Sequence, residues 1–181
     1  MSFRSVIVTP SGKTARRGLA GLLLCLLLPV TAAAGSHSPS WPPKLELNHV
    51  LVQTSLFTTH FSPRDEHNNH QNLISVELNN PDRWLAGAAW FKNSHDQPTW
   101  YWYVGRKFPF WEPAENLSFR TKLTAGALRG YKGEHRDSIP FNRYGIAPAI
   151  LPSVGVRWER FEADLIVFGT AGAMVTGGVR F

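Results

Sequence analysis

Two residues far apart in the chain have the side chains that acyl transfer needs. His60 carries an imidazole that can take a proton from an attacking hydroxyl and return it to a leaving group. Ser94 carries a hydroxyl that can work beside it. A third polar group must fix the imidazole tautomer, and both neighbourhoods supply candidates. They are Asp65, His67 and His70 after His60, and Asn93, His95 and Asp96 around Ser94. Spacing alone leaves two readings open, a reactive cluster or solvated loops that happen to be polar. The run His67-Asn68-Asn69-His70 offers two poor ligands and no carboxylate spacing, so no metal is expected. The sequence has no GxSxG elbow, phosphate loop or dinucleotide fingerprint, and no cofactor is expected.

The segments that must bring these residues together are short and alternating. Arg4, Lys13, Arg16 and Arg17 precede an apolar run from Leu19 to Val30, which ends in Thr31-Ala32-Ala33-Ala34-Gly35. That pattern predicts a secretory signal peptide over 1–34. The run is shorter than the roughly 20 residues of a membrane helix. Cys25, the only cysteine, lies inside it, which excludes a disulfide framework. Four of the 19 basic residues also belong to this leader, leaving 15 against 13 acidic groups, too even a balance for a nucleic-acid surface. Residues 35–47 then read as a short N-terminal periplasmic segment.

From there on the period is two. Eight segments alternate apolar and polar residues, at about 49–60, 71–79, 84–93, 98–108, 118–130, 145–158, 160–169 and 172–181. The last one puts Val175, Val179 and Phe181 on one face and Thr176, Gly178 and Arg180 on the other. An even strand number, a leader and a terminal aromatic predict an all-β fold, an eight-stranded antiparallel transmembrane β-barrel over 48–181 in a Gram-negative outer membrane. The C-terminal strand would be read by the outer-membrane assembly machinery. The alternative is a soluble sandwich or lipocalin-like barrel, which would hide its apolar face inside.

Both termini of such a barrel face the periplasm, so His60 and Ser94 share the outer rim. Taking the more polar parity as inward gives a charged floor of Glu77, Arg120, Lys122, Arg157, Glu162 and Asp164. Buried charges need partners, so a closed salt-bridge layer is expected there. Above it the same parity gives small and apolar residues, among them Ala88, Trp90, Gly126, Leu128, Ala149 and Leu151. This layer is either a pocket for a hydrocarbon chain or a packed interior. Pro148 and Pro152 remove ladder donors from the sixth strand, as a lateral gate or as a bulge easing closure.

Several stretches over 84–181, and more loosely 48–60, resemble the PagP family of lipid A palmitoyltransferases. Ala88-Ala89-Trp90-Phe91-Lys92-Asn93-Ser94 is similar to the family's A-x-x-F-K-D-S. Leu123-Thr124-Ala125-Gly126 resembles its T-A-G, and Ile139-Pro140 its I-P. Ala149-Ile150-Leu151-Pro152-Ser153-Val154-Gly155 resembles its L-P-x-A-S-V-G. The resemblance implies an eight-stranded barrel that moves a palmitoyl chain from a phospholipid to lipid A of lipopolysaccharide, without a cofactor. It assigns catalytic roles to Ser94 and His60, and it places Gly105 at the bottom of the acyl pocket. It favours a gate at Pro148 and Pro152. The family's Asp falls on Asn93, which carries no charge but can orient a ring by hydrogen bonding. The stretch Gly35-Ser36-His37-Ser38-Pro39-Ser40-Trp41-Pro42-Pro43-Lys44 disfavours the family's N-terminal amphipathic helix. Arg129, Lys132, Arg136 and Arg143 make the fifth-to-sixth connection basic, to meet lipid A phosphates or simply to be solvated. The expected partners are a phospholipid donor and a lipopolysaccharide acceptor, met by a monomer. Two rivals remain: a lipid A deacylase or phospholipase on the same scaffold, and a non-enzymatic transport or structural barrel.

Overall fold

The computed structural model describes Pro42 and residues 44–61 and 72–181. The predicted leader, most of the 35–47 segment, and Asp65, His67 and His70 lie outside these residues. Eight strands follow one another: β1 His49–His60, β2 Ile74–Asn79, β3 Trp84–Lys92, β4 Pro98–Ala114, β5 Leu117–Arg129, β6 Ile146–Trp158, β7 Phe161–Val167 and β8 Gly172–Arg180. Each pairs antiparallel with its sequence neighbour, and β1 pairs with β8 to close the barrel. The expected all-β, eight-stranded architecture is the one observed. β4 is longer than predicted, running to Ala114. Register shifts between Pro109 and Trp111, and again before Ala114, interrupt its pairing with β5, and β4 runs on past Arg106, the last of its residues paired with β3.

Polarity is distributed inside out. Val52, Ile74, Val76, Leu78, Val104 and Ile150 stand exposed on the outer face, whereas Gln53, Glu77, Arg120, Lys122, Glu162 and Asp164 are buried inside. A soluble barrel has no use for such a surface, but a barrel surrounded by lipid tails requires it. The chain is therefore a membrane-spanning barrel, and the soluble alternative falls. Trp111 stacks on Phe119, and Trp158 tilts against Phe161, at the end of the barrel that holds the C-terminus. Aromatic side chains of this kind sit comfortably at a headgroup boundary.

The buried charges form one network. Arg120 Nη2 donates to Glu162 at 2.7 Å and to Asp164 at 2.9 Å. Lys122 Nζ reaches Glu77 at 2.8 Å and Asp164 at 3.1 Å. Lys107 Nζ lies 3.1 Å from Glu162, and Arg180 Nε 3.4 Å from the same carboxylate. Gln53 Nε2 donates to Asp164 at 2.9 Å, and the Tyr103 hydroxyl donates to Glu77 at 3.2 Å. Five of the six predicted floor residues belong to it. Arg157 does not: its Nη2 donates instead to the backbone carbonyl of Glu115, at the β4–β5 turn. Lys107 and Arg180 were not foreseen in the floor. Lys107 faces inward, whereas its neighbour Arg106 faces out, over the rings of Trp84 and Phe108 at 5.4 and 5.3 Å.

One strand has the opposite face inward from the one expected. In β3, Leu85 and Ala89 are buried in the lumen, with Phe91 packed against the same cluster, so Ala86, Ala88 and Trp90 point outward. The run from Leu85 to Phe91 has no charged or hydrogen-bonding side chain apart from the Trp90 indole to mark a face. The face is set across the barrel wall. Tyr101 and Tyr103 of β4 stack at 4.7 Å and pair with Ala89 and Gly87. Their rings need small residues there, and a Cβ on Gly87 would lie 2.7 Å from the Tyr103 ring.

Because Arg120 bridges two buried carboxylates, Arg120→Met is expected to lower the unfolding free energy by about 3–5 kcal/mol. The exposed Lys92–Asp96 pair is the control, and Lys92→Met should cost under about 1 kcal/mol. Urea unfolding of the barrel refolded in lipid vesicles measures both, and equal losses would mean the network is not doing this.

Candidate functional site

A bulge in β1 decides where His60 points. Leu51 and Gln53 face the lumen, and strict alternation would turn His60 outward. Between Ser55 and Phe57 the register with β8 shifts by one residue. Leu56 and Phe57 consequently both face out, 65 % and 62 % exposed, and Thr58 is buried inside. His60, two residues on, falls on the inner side of the rim, paired with Gly172 of β8.

Ser94 is presented by the β3–β4 turn, which is organised around Asn93. Asn93 is fully buried. Its Oδ1 accepts from the backbone N–H of His95 at 2.9 Å and of Gln97 at 3.1 Å. Its backbone N–H donates to the Gln97 carbonyl at 3.0 Å, and its own carbonyl accepts from Asp96 at 2.9 Å. Asp96 takes the left-handed conformation that closes the turn, with φ 59°.

The two predicted residues meet. His60 Nε2 lies 3.0 Å from Ser94 Oγ. A third group, not foreseen from sequence, joins them: the Tyr131 hydroxyl is hydrogen-bonded to Ser94 through both its side chain and its backbone. Burial pushes the Tyr131 phenol above its ordinary range, so it stays a neutral hydroxyl. Tyr131 lies two residues past the end of β5, and nothing in its sequence neighbourhood distinguished it. Gln97 ties the turn to the same stretch, its side chain exchanging bonds with the Lys132 backbone at 3.1 and 3.3 Å. The His95 ring stacks on His135 at 3.7 Å and meets Tyr131 edge-on at 6.1 Å.

Asn93, predicted to orient the imidazole, has a different task. Both of its amide ends are engaged within the turn, the Nδ2 facing Gln97 Oε1. It therefore positions Ser94 rather than His60. The atom it uses, Oδ1, exists equally in an aspartate. Asp96 pairs with Lys92 at 3.1 Å.

Below the rim lies the apolar layer. Leu73, Leu85, Ala89, Tyr101, Tyr103 and Met174 pack into one cluster, with Leu128, Ala149 and Leu151 partly buried against it. Gly126 and Gly105 share the inward parity of β5 and β4. Ala88 and Trp90 do not belong to this lining, because β3 turns them outward. Gly105 sits between Tyr103 and the floor residue Lys107, where a Cβ would press on the Leu123 carbonyl and on Thr124. Pro148 and Pro152 face out on β6, which runs in unbroken register with β5. Pairing between β6 and β7 covers only Ser153–Trp158, so the wall beside both prolines is unzipped on its β7 side.

The sequence matches no family model and no curated protein. Among solved structures it is similar to the outer membrane protein Ail of Yersinia pestis, whose backbone structure was determined in a phospholipid bilayer nanodisc. The identity is 14 %, over 75 % of this chain and all of that one, with a TM-score of 0.39.

Asn93→Ala strips two backbone N–H groups of their acceptor and should destabilise the barrel by about 1–3 kcal/mol. Asn93→Asp keeps the acceptor for both N–H donors, which offsets part of the cost of burying a carboxylate, and should lose less than Asn93→Ala. Urea midpoints of the two variants read the difference. Equal midpoints would remove the turn from the account of how Ser94 is held.

Proposed function

We propose that this barrel is an outer-membrane acyltransferase that moves a palmitoyl chain from a phospholipid to a hydroxyl of lipid A. The observation that carries the reading is the His60–Ser94 contact at a rim that stands over an apolar lumen with a charged floor. The resemblance of the β3, β5 and β6 stretches to the PagP family supports it. In this mechanism the acceptor hydroxyl attacks the ester carbonyl of the donor while His60 takes its proton. The tetrahedral intermediate collapses, the donor C–O bond breaks, and the imidazolium returns the proton to the departing lysophospholipid oxygen. One ester is formed and one is lost. Ser94 keeps the ring oriented, and the neutral Tyr131 hydroxyl holds Ser94. The donor chain lies against Leu128, Ala149 and Leu151, above the floor that stops water from crossing. It enters where β6 and β7 part.

The test is expression in a Gram-negative host lacking its own palmitoyltransferase, followed by mass spectrometry of its lipid A. A gain of one palmitoyl group is expected. His60→Ala should lower the rate at least about a hundredfold, and Ser94→Ala, which removes the hydrogen bond that orients His60, about tenfold. An unchanged lipid A from a folded barrel would sink the proposal. Free fatty acid in place of the product would identify a hydrolase, with water as the acceptor.

A further inference from the structure

Where β5 passes into the connection to β6, a hollow of about 230 Å³ opens on the outer rim. Its wall includes Arg129, Lys132 and Arg136, together with Tyr131 and Tyr144. Arg129 ends β5, and Arg136 lies in a short 3-10 helix, Gly133–Ser138. Three cations converge on one small concavity, and among the described residues none of them forms a salt bridge. Glu134, a carboxylate of the same connection, is not part of the wall. Like charges gathered this way repel until an anion joins them.

The scaffold behind them is braced. Arg136 Nε donates to the Asn142 carbonyl at 3.3 Å, and Asn142 Nδ2 donates back to the Arg136 and Tyr131 carbonyls at 2.9 and 3.1 Å. Gly133 and Gly145, both in the wall, take left-handed conformations at φ 62° and 79° that shape the concavity. Tyr144 in the wall and Phe141 of the same connection are 94 % and 82 % exposed, aromatic side chains suited to a lipid interface. Tyr131 faces both ways, its side chain in the wall and its hydroxyl on Ser94.

We propose that this hollow binds the phosphate group of an outer-leaflet glycolipid, so that a hydroxyl of the same molecule is held within reach of His60 and Ser94. The proposal rests on the acyltransferase reading and names the group by which the acceptor is recognised. Guanidinium forks match phosphate oxygens in pairs, and a lysine adds a point charge. Inorganic phosphate has the same chemistry. The lipid is favoured by the exposed Phe141 and Tyr144 and by the hollow's place on a membrane-embedded rim.

The full-length chain, folded in nanodiscs and carrying His60→Ala so that nothing turns over, is offered bisphosphorylated lipid A or the same lipid A after dephosphorylation. Bound lipid is measured by mass spectrometry across a concentration series. The phosphorylated form should bind at least about tenfold tighter. Combined Arg129→Gln, Lys132→Gln and Arg136→Gln should abolish the preference, and Lys132→Gln alone, on an exposed loop, should reduce it. Arg143→Gln, outside the wall, should retain it. Inorganic phosphate should displace the lipid only at millimolar levels. Equal binding of the two lipids, or a preference that survives in the folded triple variant, overturns the proposal. Displacement by micromolar phosphate overturns it too, in favour of a free-ion site. Since binding is read without turnover, this failure is separate from a failure of acyl transfer.

Discussion

Three carboxylates and their cations, sealed inside the wall, set the orientation of most of the molecule. Glu77, Glu162 and Asp164 cannot face lipid and cannot be left alone in the lumen, so they must meet Lys107, Arg120, Lys122 and Arg180. Those seven residues lie on β2, β4, β5, β7 and β8. Once each points inward, the period of two turns every alternate neighbour toward the membrane. The apolar layer above the floor and the hydrophobic belt outside both follow from that single condition. A slip by one residue in any of these strands would put a charge in hydrocarbon.

The rim is governed by smaller devices that correct what the floor dictates. Parity carried up β1 from Gln53 would send His60 into the membrane. The extra residue at Leu56 reverses it at a point already beyond the reach of the network. On β3 the same problem is met by a turn, where the buried Asn93 amide fixes the backbone of His95 and Gln97, just after Ser94. The third member, Tyr131, arrives from a strand end that Gln97 stitches to that turn. Three separate connections thus converge on one hydroxyl, Ser94 Oγ, and none of them depends on contact with the floor.

Much of this was readable in the sequence, and the reasons for success and failure are physical. Strands with charged residues at alternate positions, such as β5 with Arg120 and Lys122 or β7 with Glu162 and Asp164, announce their inner face. β3 does not, because Ala88, Ala89, Trp90 and Phe91 are apolar on both parities, and its face is set by tyrosines of the adjoining strand β4. The pairing of His60 with Ser94 followed from topology, since ends of odd strands share a rim. Two errors of residue choice, Arg157 for Lys107 and Asn93 as a ring partner, concern side chains at strand ends and turns. There a long or amide side chain has several backbone groups within reach, and alternation no longer constrains it.

The unzipped stretch of wall above Ser153 has a consequence for how the barrel tolerates its surroundings. Glu159 N–H donates toward β5, to the Asn116 carbonyl, so in the unbroken register of β6 the even-numbered residues direct their N–H toward β7. Above Ser153 those include Pro148 and Pro152, which have no N–H, and Ile146, whose N–H is taken by the Arg143 carbonyl at 3.0 Å. Ile150 is left. An unpaired donor in hydrocarbon costs several kcal/mol, of order 4–8 for a peptide group moved from water. The prolines therefore lower the cost of a bare strand edge: two of the donors that would meet lipid tails are gone, and what is left to satisfy is mostly carbonyl oxygen.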